Sequence, residues 1–166
     1  MRRDLLDLKE RIESELFNIE KAAQRALGAW EEASHNTKQK DYYLDSVALN
    51  LHSFYNGLER IFSVIARQLD PVFPSGDHWH RDLLEQMSRE IPEGRPAVLS
   101  GKVIDVLSEF LAFRHVVRGI YTFELEEERL NSLIELLPEA MSRVKEELKH
   151  FCRLLLLASD QENEDA

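Results

Sequence analysis

The chain has 166 residues, which suits one domain with its own hydrophobic core, and a single cysteine, which excludes a disulfide framework. Its longest uninterrupted apolar run, residues 154–158, is far too short to span a bilayer. The net charge of −10 repels nucleic acid over most of the surface, so any RNA-binding role depends on a local basic patch. The first residues lack the apolar segment of a signal peptide, and we expect a cytoplasmic protein without membrane segments.

Four long segments carry apolar residues every three or four positions, the spacing of amphipathic helices. These predicted helices cover about 4–33, 42–69, 100–121 and 126–159. Pro71, Pro74 and Gly76 end the second helix, and a short helix is predicted over 80–89. Pro138 falls inside the last helix and should kink or split it. No segment of four or more residues shows the strict alternation of a half-buried strand.

Together these elements predict an all-α, up-and-down bundle of four long helices plus one short helix, with each apolar stripe facing a common core. A single bundle domain is predicted over residues 1–159, followed by an acidic disordered tail over 160–166. The first two helices would each be on the order of 40 Å long. An elongated shape of this kind favours a homodimer.

Two arginines and a tyrosine lie near the predicted end of the helix over 100–121. On a helical wheel, Arg114, Arg118 and Tyr121 fall on one stripe, beside a separate apolar stripe that faces the core. The residues of that apolar stripe are Val106, Phe110, Phe113, Val117 and Ile120. Arginine forks bind phosphate bidentately, and a helix C-terminus favours cations. The alternative, which the spacing leaves open, is that both arginines pair with carboxylates such as Glu59 on the second helix.

Other candidate sites carry weaker signals. His78 and His80 have the spacing of a metal-binding pair, but no cysteine or second histidine pair lies nearby, so no metal site is predicted. Trp79, Leu83 and Leu84 are predicted instead to anchor the short helix to the bundle. The sequence contains no Gly-rich phosphate loop and no Ser-His-Asp constellation, and no cofactor is expected.

Residues 114–121, with the sequence RHVVRGIY, resemble the signature of the HEPN superfamily, in particular its HepT-like branch. There an arginine is followed, after four residues, by a histidine, any residue and a tyrosine. Residues 51–62 on the second helix and 78–84 after the proline loop resemble the same branch. The position of the motif, late in a long helix of an all-helical chain of this size, makes the resemblance more specific than the short pattern alone.

The resemblance implies a bundle of four to five helices that dimerises by apposing its two motif helices, which gives a shared cleft. HepT-like members are toxins that cut RNA without metal, usually encoded beside a small MNT-type nucleotidyltransferase that acts as antitoxin. Arg114 matches the phosphate-binding arginine, and Tyr121 matches the tyrosine that the partner adenylylates in some systems. A nucleotide on that hydroxyl would fill the cleft and add negative charge where RNA phosphate must sit.

Gly119 stands where the family motif has its histidine. Metal-free RNA cleavage needs a group that titrates near neutrality, which glycine does not provide. Either this chain has lost catalysis and keeps the binding of RNA, nucleotide or partner, or another residue replaces the histidine. His115 is the candidate replacement because it lies one helical turn before Gly119, about 6 Å along the axis. A glycine at this position also suits a bend or a close approach between helices.

Three functions therefore remain open. The first is a toxin-type endoribonuclease in which Arg114 and Arg118 bind phosphate, His115 supplies acid–base catalysis, Glu59 orients Arg114, and Tyr121 faces the substrate or is modified. The second is a catalytically inactive module that binds a nucleotide or a nucleotidyltransferase partner in the same cleft. The third is a structural interaction protein in which the arginines only join helices.

Overall fold

The computed structural model describes the backbone of residues 2–164 and the side chains of residues 3–160. Its helices, in chain order, are α1 (Arg2–His35), α2 (Lys40–Leu69), α3 (Trp79–Gln86), α4 (Gly101–Gly119) and α5 (Glu127–Glu164), with a 3₁₀ turn at Thr122–Glu124. Residues 2–164 contain no β-strand and one isolated bridge in the loop before α4, so the predicted all-α fold is confirmed. Within the same residues, no helix combines the length and apolarity needed to cross a membrane.

The core lies between α1, α2, α4 and α5, where the predicted apolar stripes of three long helices are buried. Burial of a large aliphatic side chain contributes about 1.5–3 kcal/mol, so these stripes account for the packing of the bundle. Phe54 of α2 and Phe110 of α4 join the two helices that carry the candidate site, with ring centroids 5.1 Å apart. Buried stripe residues include Leu8, Ile12, Leu16, Ile19, Leu51, Leu58, Ile61, Ile65, Leu130, Leu133, Leu137, Val144, Leu148 and Phe151.

Helix α5 passes through Pro138 without interruption, so of the two predicted effects, a kink or a split, the split does not occur. Pro138 is exposed, whereas Leu137 and Met141 on the core-facing side are buried. Packing on both sides of the proline therefore offsets the missing backbone donor. The helix also extends to Glu164 rather than ending near Ser159. The last two residues of the predicted tail lie outside the described residues, and the division between domain and tail stays a prediction.

Helix α4 differs from its prediction in the face that it buries. Phe110 and Phe113 are buried as predicted, but Val106 and Val117 are only half-buried and Ile120 is exposed. The core face instead includes Val103, Ile104, Leu107 and Leu111. Apolar residues occur on several sides of this helix, so its periodicity alone did not select the buried face. Arg114 continues the buried series 103, 107, 110 in steps of three and four, and it therefore points inward.

The C-terminal end of α4 is also earlier than predicted. Gly119 is the last helical residue, and Ile120 is extended with φ −133° and ψ 165°. Tyr121 therefore lies outside the helix, and the predicted stripe of Arg114, Arg118 and Tyr121 is wrong for the tyrosine. The N-terminus follows the prediction closely, because the Ser100 hydroxyl caps the helix by accepting a hydrogen bond from the Val103 N–H at 3.4 Å.

A buried ion pair attaches the segment around α3 to the end of α2. The side chains of Asp70 and Arg95 have no solvent exposure, and Arg95 Nε donates to Asp70 Oδ1 at 2.5 Å. Leu83 and Leu84 of α3 are buried, as predicted for the anchor of the short helix. These contacts matter for function because α3 also carries His80.

Candidate functional site

Arg114 lies where α4 meets α2 and α3, and only 8% of the residue is exposed. Its Nε donates a hydrogen bond to Asn56 Oδ1 at 2.6 Å, and its Nη2 lies 3.5 Å from Glu59 Oε1. Both partners are on α2, one helical turn apart, so they contact the guanidinium from the same helix. The pairing with Glu59 that the sequence left as an alternative is therefore present for Arg114.

His80 of α3 shares the same carboxylate. Its Nδ1 lies 2.7 Å from Glu59 Oε2 and 3.3 Å from Arg114 Nη1. The guanidinium has only donors, so a single Nδ1 cannot both donate to Glu59 and accept from Arg114. We assign the proton to Nδ1 because the carboxylate contact is shorter and charge-assisted. The other ring nitrogen, Nε2, is then left for a further partner.

Aromatic rings fix the plane of His80. Trp79 stacks on it with ring centroids 3.7 Å apart and an interplanar angle of 30°. Phe73 packs against the same tryptophan at 6.0 Å, and the Arg67 guanidinium lies 4.1 Å above the Phe73 ring. His80 also contacts His115 edge-on, with centroids 5.7 Å apart at 78°. Two imidazoles from different helices are therefore in contact, and one of them lies 3.3 Å from Arg114.

The second and third histidines of the site lie at its rim. Asn56 Nδ2 donates to His52 Nδ1 at 3.0 Å, which links His52 through Asn56 to Arg114. Burial lowers the pKa of His115, and the positive charges of His80, Arg114 and Arg118 lower it further, against an opposing effect of Glu59. Burial, followed by the charges of Arg114 and Arg118, likewise lowers the pKa of His52. Both rings are therefore mainly neutral at pH 7.

Arg118 and Tyr121 face solvent. Arg118 forms no ion pair with any of the residues described, in contrast to Arg114. Tyr121 is 70% exposed and stacks in parallel on Phe123, with centroids 5.3 Å apart. Its backbone N–H donates to Glu124 Oε2 at 3.2 Å. The arginine and the phenol are thus accessible, although they do not share a helix face.

Gly119 is not required by the packing within this chain. A Cβ atom added to Gly119 would meet no atom within 4 Å, so the close helix approach considered for this glycine does not occur within the chain. Its φ is also outside the left-handed region, because the positive values belong to Gly76 and Glu93. The absence of the motif histidine therefore has no steric cause in the described part of the chain.

Tyr55 is a buried polar group directly behind the site. The residue is completely buried, and its hydroxyl forms no hydrogen bond within the described residues. Burial raises the pKa of the Tyr55 phenol, Glu59 four residues later raises it further, and Arg114 opposes both effects. The phenol therefore stays neutral, and its orphaned hydroxyl belongs to the same polar cluster as Glu59 and Arg114.

An open groove adjoins the cluster on the side of α1. It has a volume of about 530 Å³ and includes Glu59 and Trp79 in its wall. Arg11, Arg60 and Arg67 also line it. Arg60 is already bound to Glu15, with Nη2 and Nε at 2.6 and 3.0 Å from one carboxylate oxygen, so its charge is largely compensated. No group of three or more His, Cys, Asp or Glu side chains suitable for a metal ion occurs among the side chains described.

In the structure Arg114 lies 3.5 Å from Glu59, and His115 contacts His80. Asn56 and His52 join the same cluster through side-chain hydrogen bonds. The sequence analysis did not place His80 in the site, although its spacing from Leu83 and Leu84 could have indicated its direction. Positions i, i+3 and i+4 of a helix share one face. A histidine on the same face as two buried leucines must point toward the bundle. No comparable local signal identified Asn56, whose partner lies 58 positions later in the chain.

Comparison with known proteins supports the resemblance seen in the motif. The family model described as HepT-like protein matches residues 46–155, roughly two-thirds of the chain. The match includes α3, α4, most of α2 and α5, and every residue of the cluster around Arg114. No curated protein and no solved structure matches the chain. The chain therefore belongs to the HepT-like family of the HEPN superfamily.

Proposed function

We propose that this HepT-like protein is the toxin-type component of a cytoplasmic two-gene system. It cleaves RNA without a metal ion, acts as a homodimer, and is opposed by an MNT-type nucleotidyltransferase. The observation that carries the proposal is the cluster of Arg114, His80 and His115, in which a guanidinium held by Asn56 and Glu59 lies 3.3 Å from one imidazole and a second imidazole contacts the first. Such a set can bind a phosphodiester and transfer protons to and from it.

Phosphate binding is assigned to the two arginines in different ways. Arg114 is oriented by Asn56 and Glu59, and its Nη1 lies 3.3 Å from His80 Nδ1. Arg118 lies one helical turn further on, is exposed, and is not compensated by a carboxylate within the residues described. Arg118 is therefore the stronger contributor to the attraction of RNA in a chain of net charge −10. Arg114 orients the phosphate at the reacting centre.

Acid–base catalysis is assigned to His115. Partial burial and the adjacent positive charges lower its pKa, so its ring is neutral at pH 7 and can accept a proton from a ribose 2′-hydroxyl. The residue as a whole remains exposed, which gives a substrate access to it. His115 precedes Gly119 by one turn on the same helix, so it can act on the phosphate that the motif arginine binds.

A homodimer is supported by an apolar patch at the end of α4. The patch comprises Val116, Ile120, Tyr121 and Phe123, which are 49%, 37%, 70% and 81% exposed. Exposed apolar side chains in a contiguous patch are typical of interaction surfaces. Apposition of two such patches would bring two motif helices together and enclose the arginines and histidines of both subunits in one cleft.

Regulation by the partner is assigned to Tyr121. Its exposed phenol can attack the α-phosphorus of ATP bound by a nucleotidyltransferase, which forms a tyrosyl-AMP ester and releases pyrophosphate. The AMP group would add negative charge at the mouth of the cleft, where RNA phosphate must enter. Tyr121→Phe should remove this modification while the fold remains intact, because the hydroxyl is not part of the core.

The proposal is tested with purified protein and labelled RNA in the presence of EDTA. The wild-type protein should cleave the RNA, and Arg118→Ala should reduce both binding and cleavage. Arg81→Ala is the matched control, because Arg81 is also exposed and pairs with Glu85 on its own helix. Equal activity of the Arg118→Ala and Arg81→Ala variants, or no cleavage by the wild-type protein, would contradict the proposal.

The second candidate is an inactive module that binds a nucleotide or the nucleotidyltransferase in the same cleft. Gly119 in place of the motif histidine favours it. In this case the wild-type protein binds the partner without cleaving RNA. A Cβ atom at position 119 would meet no described atom within 4 Å, so we expect the fold to tolerate Gly119→His, which should then restore cleavage. Cleavage by wild-type protein excludes this candidate.

A further inference from the structure

We propose that His80 of α3, held by Glu59 of α2, is the general acid that replaces the missing motif histidine. The inference rests on the proposed RNA cleavage and deepens it by naming a catalytic residue outside the motif helix. It pairs His80 with His115, which acts as the general base, and gives Glu59 the role of a positioning residue. The ligand class is an RNA phosphodiester with its adjacent 2′-hydroxyl.

The first support is the orientation of the His80 ring. Glu59 Oε2 accepts a hydrogen bond from Nδ1 at 2.7 Å, and Trp79 stacks on the ring face at 3.7 Å. A carboxylate that accepts from one nitrogen fixes the tautomer, stabilises positive charge on the ring, and directs the second nitrogen at the substrate. Glu59 Oε1 lies 3.5 Å from Arg114 Nη2, so the histidine has the closer contact with this carboxylate.

The second support is that Nε2 of His80 is available. This nitrogen forms no hydrogen bond within the described residues. It is also not one of the fully buried polar atoms that lack a hydrogen-bond partner, so it is not sealed from solvent. Among the described residues of this cluster, only the Tyr55 hydroxyl is such an atom. The His80 side chain retains 14% exposure. A histidine that only joined helices would leave this nitrogen bonded to protein or sealed from solvent.

The third support is the position of the two imidazoles. In-line displacement at phosphorus requires one group at the attacking oxygen and one at the leaving oxygen. His80 and His115 reach the space beside Arg114 from α3 and α4, with ring centroids 5.7 Å apart. One phosphate can therefore contact both rings. The groups that face His80 are Glu59 from α2 and Arg114 and His115 from α4.

Different surroundings assign the acid and base roles to the two histidines. The ring of His80 has the Glu59 carboxylate as its hydrogen-bond partner at 2.7 Å, whereas the ring of His115 contacts no carboxylate within the described residues. Burial and the charges of His80, Arg114 and Arg118 lower the pKa of His115, which keeps that ring neutral and suits it to the role of base. The role of acid then belongs to His80, whose ring is oriented by the carboxylate.

The reaction is then balanced as follows. His115 takes the proton of the 2′-hydroxyl, and the 2′-oxygen forms a bond to the adjacent phosphorus. The bond from phosphorus to the 5′-oxygen breaks, and Nε2–H of His80 donates its proton to that oxygen. The products are a 2′,3′-cyclic phosphate and a 5′-hydroxyl. Proton exchange with water returns His115 to its neutral form and His80 to its charged form.

The main variant is His80→Gln, with His78→Gln as the matched control. His78 lies two residues earlier, is exposed, and makes no capping hydrogen bond with its side chain. We expect His80→Gln to lower kcat by about 10²- to 10⁴-fold with KM little changed, because the acid acts mainly in the transition state. His78→Gln should cleave at the wild-type rate. Circular dichroism and thermal melting show that each variant is folded.

The deciding substrate is RNA in which sulfur replaces the 5′-bridging oxygen at the cleavage site. A thiolate leaves without a proton, so the defect of His80→Gln should largely disappear, whereas His115→Gln should remain slow on both substrates. Glu59→Gln should be slow on the oxygen substrate and largely rescued on the sulfur substrate, since the His80 ring is then no longer oriented to donate its proton. A purely structural role for Glu59 would slow the cleavage of both substrates equally.

The outcomes separate the two proposals. If wild-type protein cleaves RNA and His80→Gln cleaves equally well, the assignment of His80 is overturned while the proposed function stands. An equal defect of His80→Gln on the oxygen and sulfur substrates also overturns it, because the residue is then not the acid. If wild-type protein cleaves neither substrate, the proposed function fails, and the role of His80 fails with it.

Discussion

Replacement of Arg95 by alanine should destabilise the protein strongly, although Arg95 lies outside the motif helix. Its guanidinium has five N–H donors, and each has an acceptor within the residues described. The acceptors are Asp70 Oδ1 at 2.5 Å, Asp70 Oδ2 at 2.7 Å, the carbonyls of Arg89 and Pro96 at 3.0 Å, and the carbonyl of Gln86 at 3.3 Å. The interaction ties the end of α2 to both ends of the segment that follows α3.

The expected loss follows from the burial of both partners. Arg95→Ala leaves the Asp70 carboxylate without its cation, and neither side chain has solvent exposure that could compensate. Removal of one partner of a buried ion pair costs about 3–5 kcal/mol. The donor Gln86 Nε2 remains at Asp70 Oδ2, so we expect about 4 kcal/mol. For a chain of this length, that corresponds to a fall in Tm on the order of 12 °C.

Differential scanning calorimetry and urea unfolding measure this change directly. Arg89→Ala is the control, because Arg89 is 69% exposed and pairs with Glu85 only at 3.8 Å. A surface pair of this kind contributes about 0–1 kcal/mol. Similar melting temperatures for Arg95→Ala and Arg89→Ala would refute the reasoning. Asp70→Leu combined with Arg95→Leu should be less unstable than Arg95→Ala, since no buried charge is left alone.

Three further predictions concern the helices and the cluster. Pro138→Ala should raise stability by about 1–3 kcal/mol in calorimetry, because proline is unfavourable inside a helix and Pro138 is exposed; an unchanged Tm would contradict this. Arg114→Ala should lose about 2–3 kcal/mol in urea unfolding because Glu59 loses a charged partner, whereas Arg118→Ala should stay within about 0.5 kcal/mol; equal losses would contradict the assigned burial. Burial, followed by nearby arginine charge, lowers the pKa of His52 in the folded protein. Below about pH 6.5 the unfolded chain therefore binds more protons than the folded chain, and stability falls as the pH drops from that value toward the folded pKa. The fall in Tm with decreasing pH should be smaller in His52→Gln.

The long helices could be predicted from the sequence because each repeats the same spacing of apolar residues over many turns. In α1, α2 and α5, apolar residues return to one face over several turns, and those faces are buried. Helix α4 shows the limit of this reasoning. Its apolar residues surround the helix, so Val106 and Ile120 were assigned to the core while the buried series through Arg114 was missed.

Errors in boundaries had the same local origin. The wheel that placed Tyr121 beside Arg114 assumed two more helical residues after Gly119, and the chain becomes extended at Ile120 instead. Glycine has a low helix propensity, so ending the helix at Gly119 costs little free energy. Pro138 shows the opposite case, because packing on both sides of α5 overrides a strong local signal for interruption.

By itself, the sequence determined the all-α class, the number of long helices, and the family resemblance centred on residues 114–121. Periodicity and short motifs report on neighbours within one or two helical turns, and these properties need nothing more. Only the tertiary structure decided that Arg114 is shared between Asn56 and Glu59, and that His80 approaches the same carboxylate from α3. Those contacts join residues 21 to 58 positions apart. They exist because three helices converge, and no local pattern encodes that convergence.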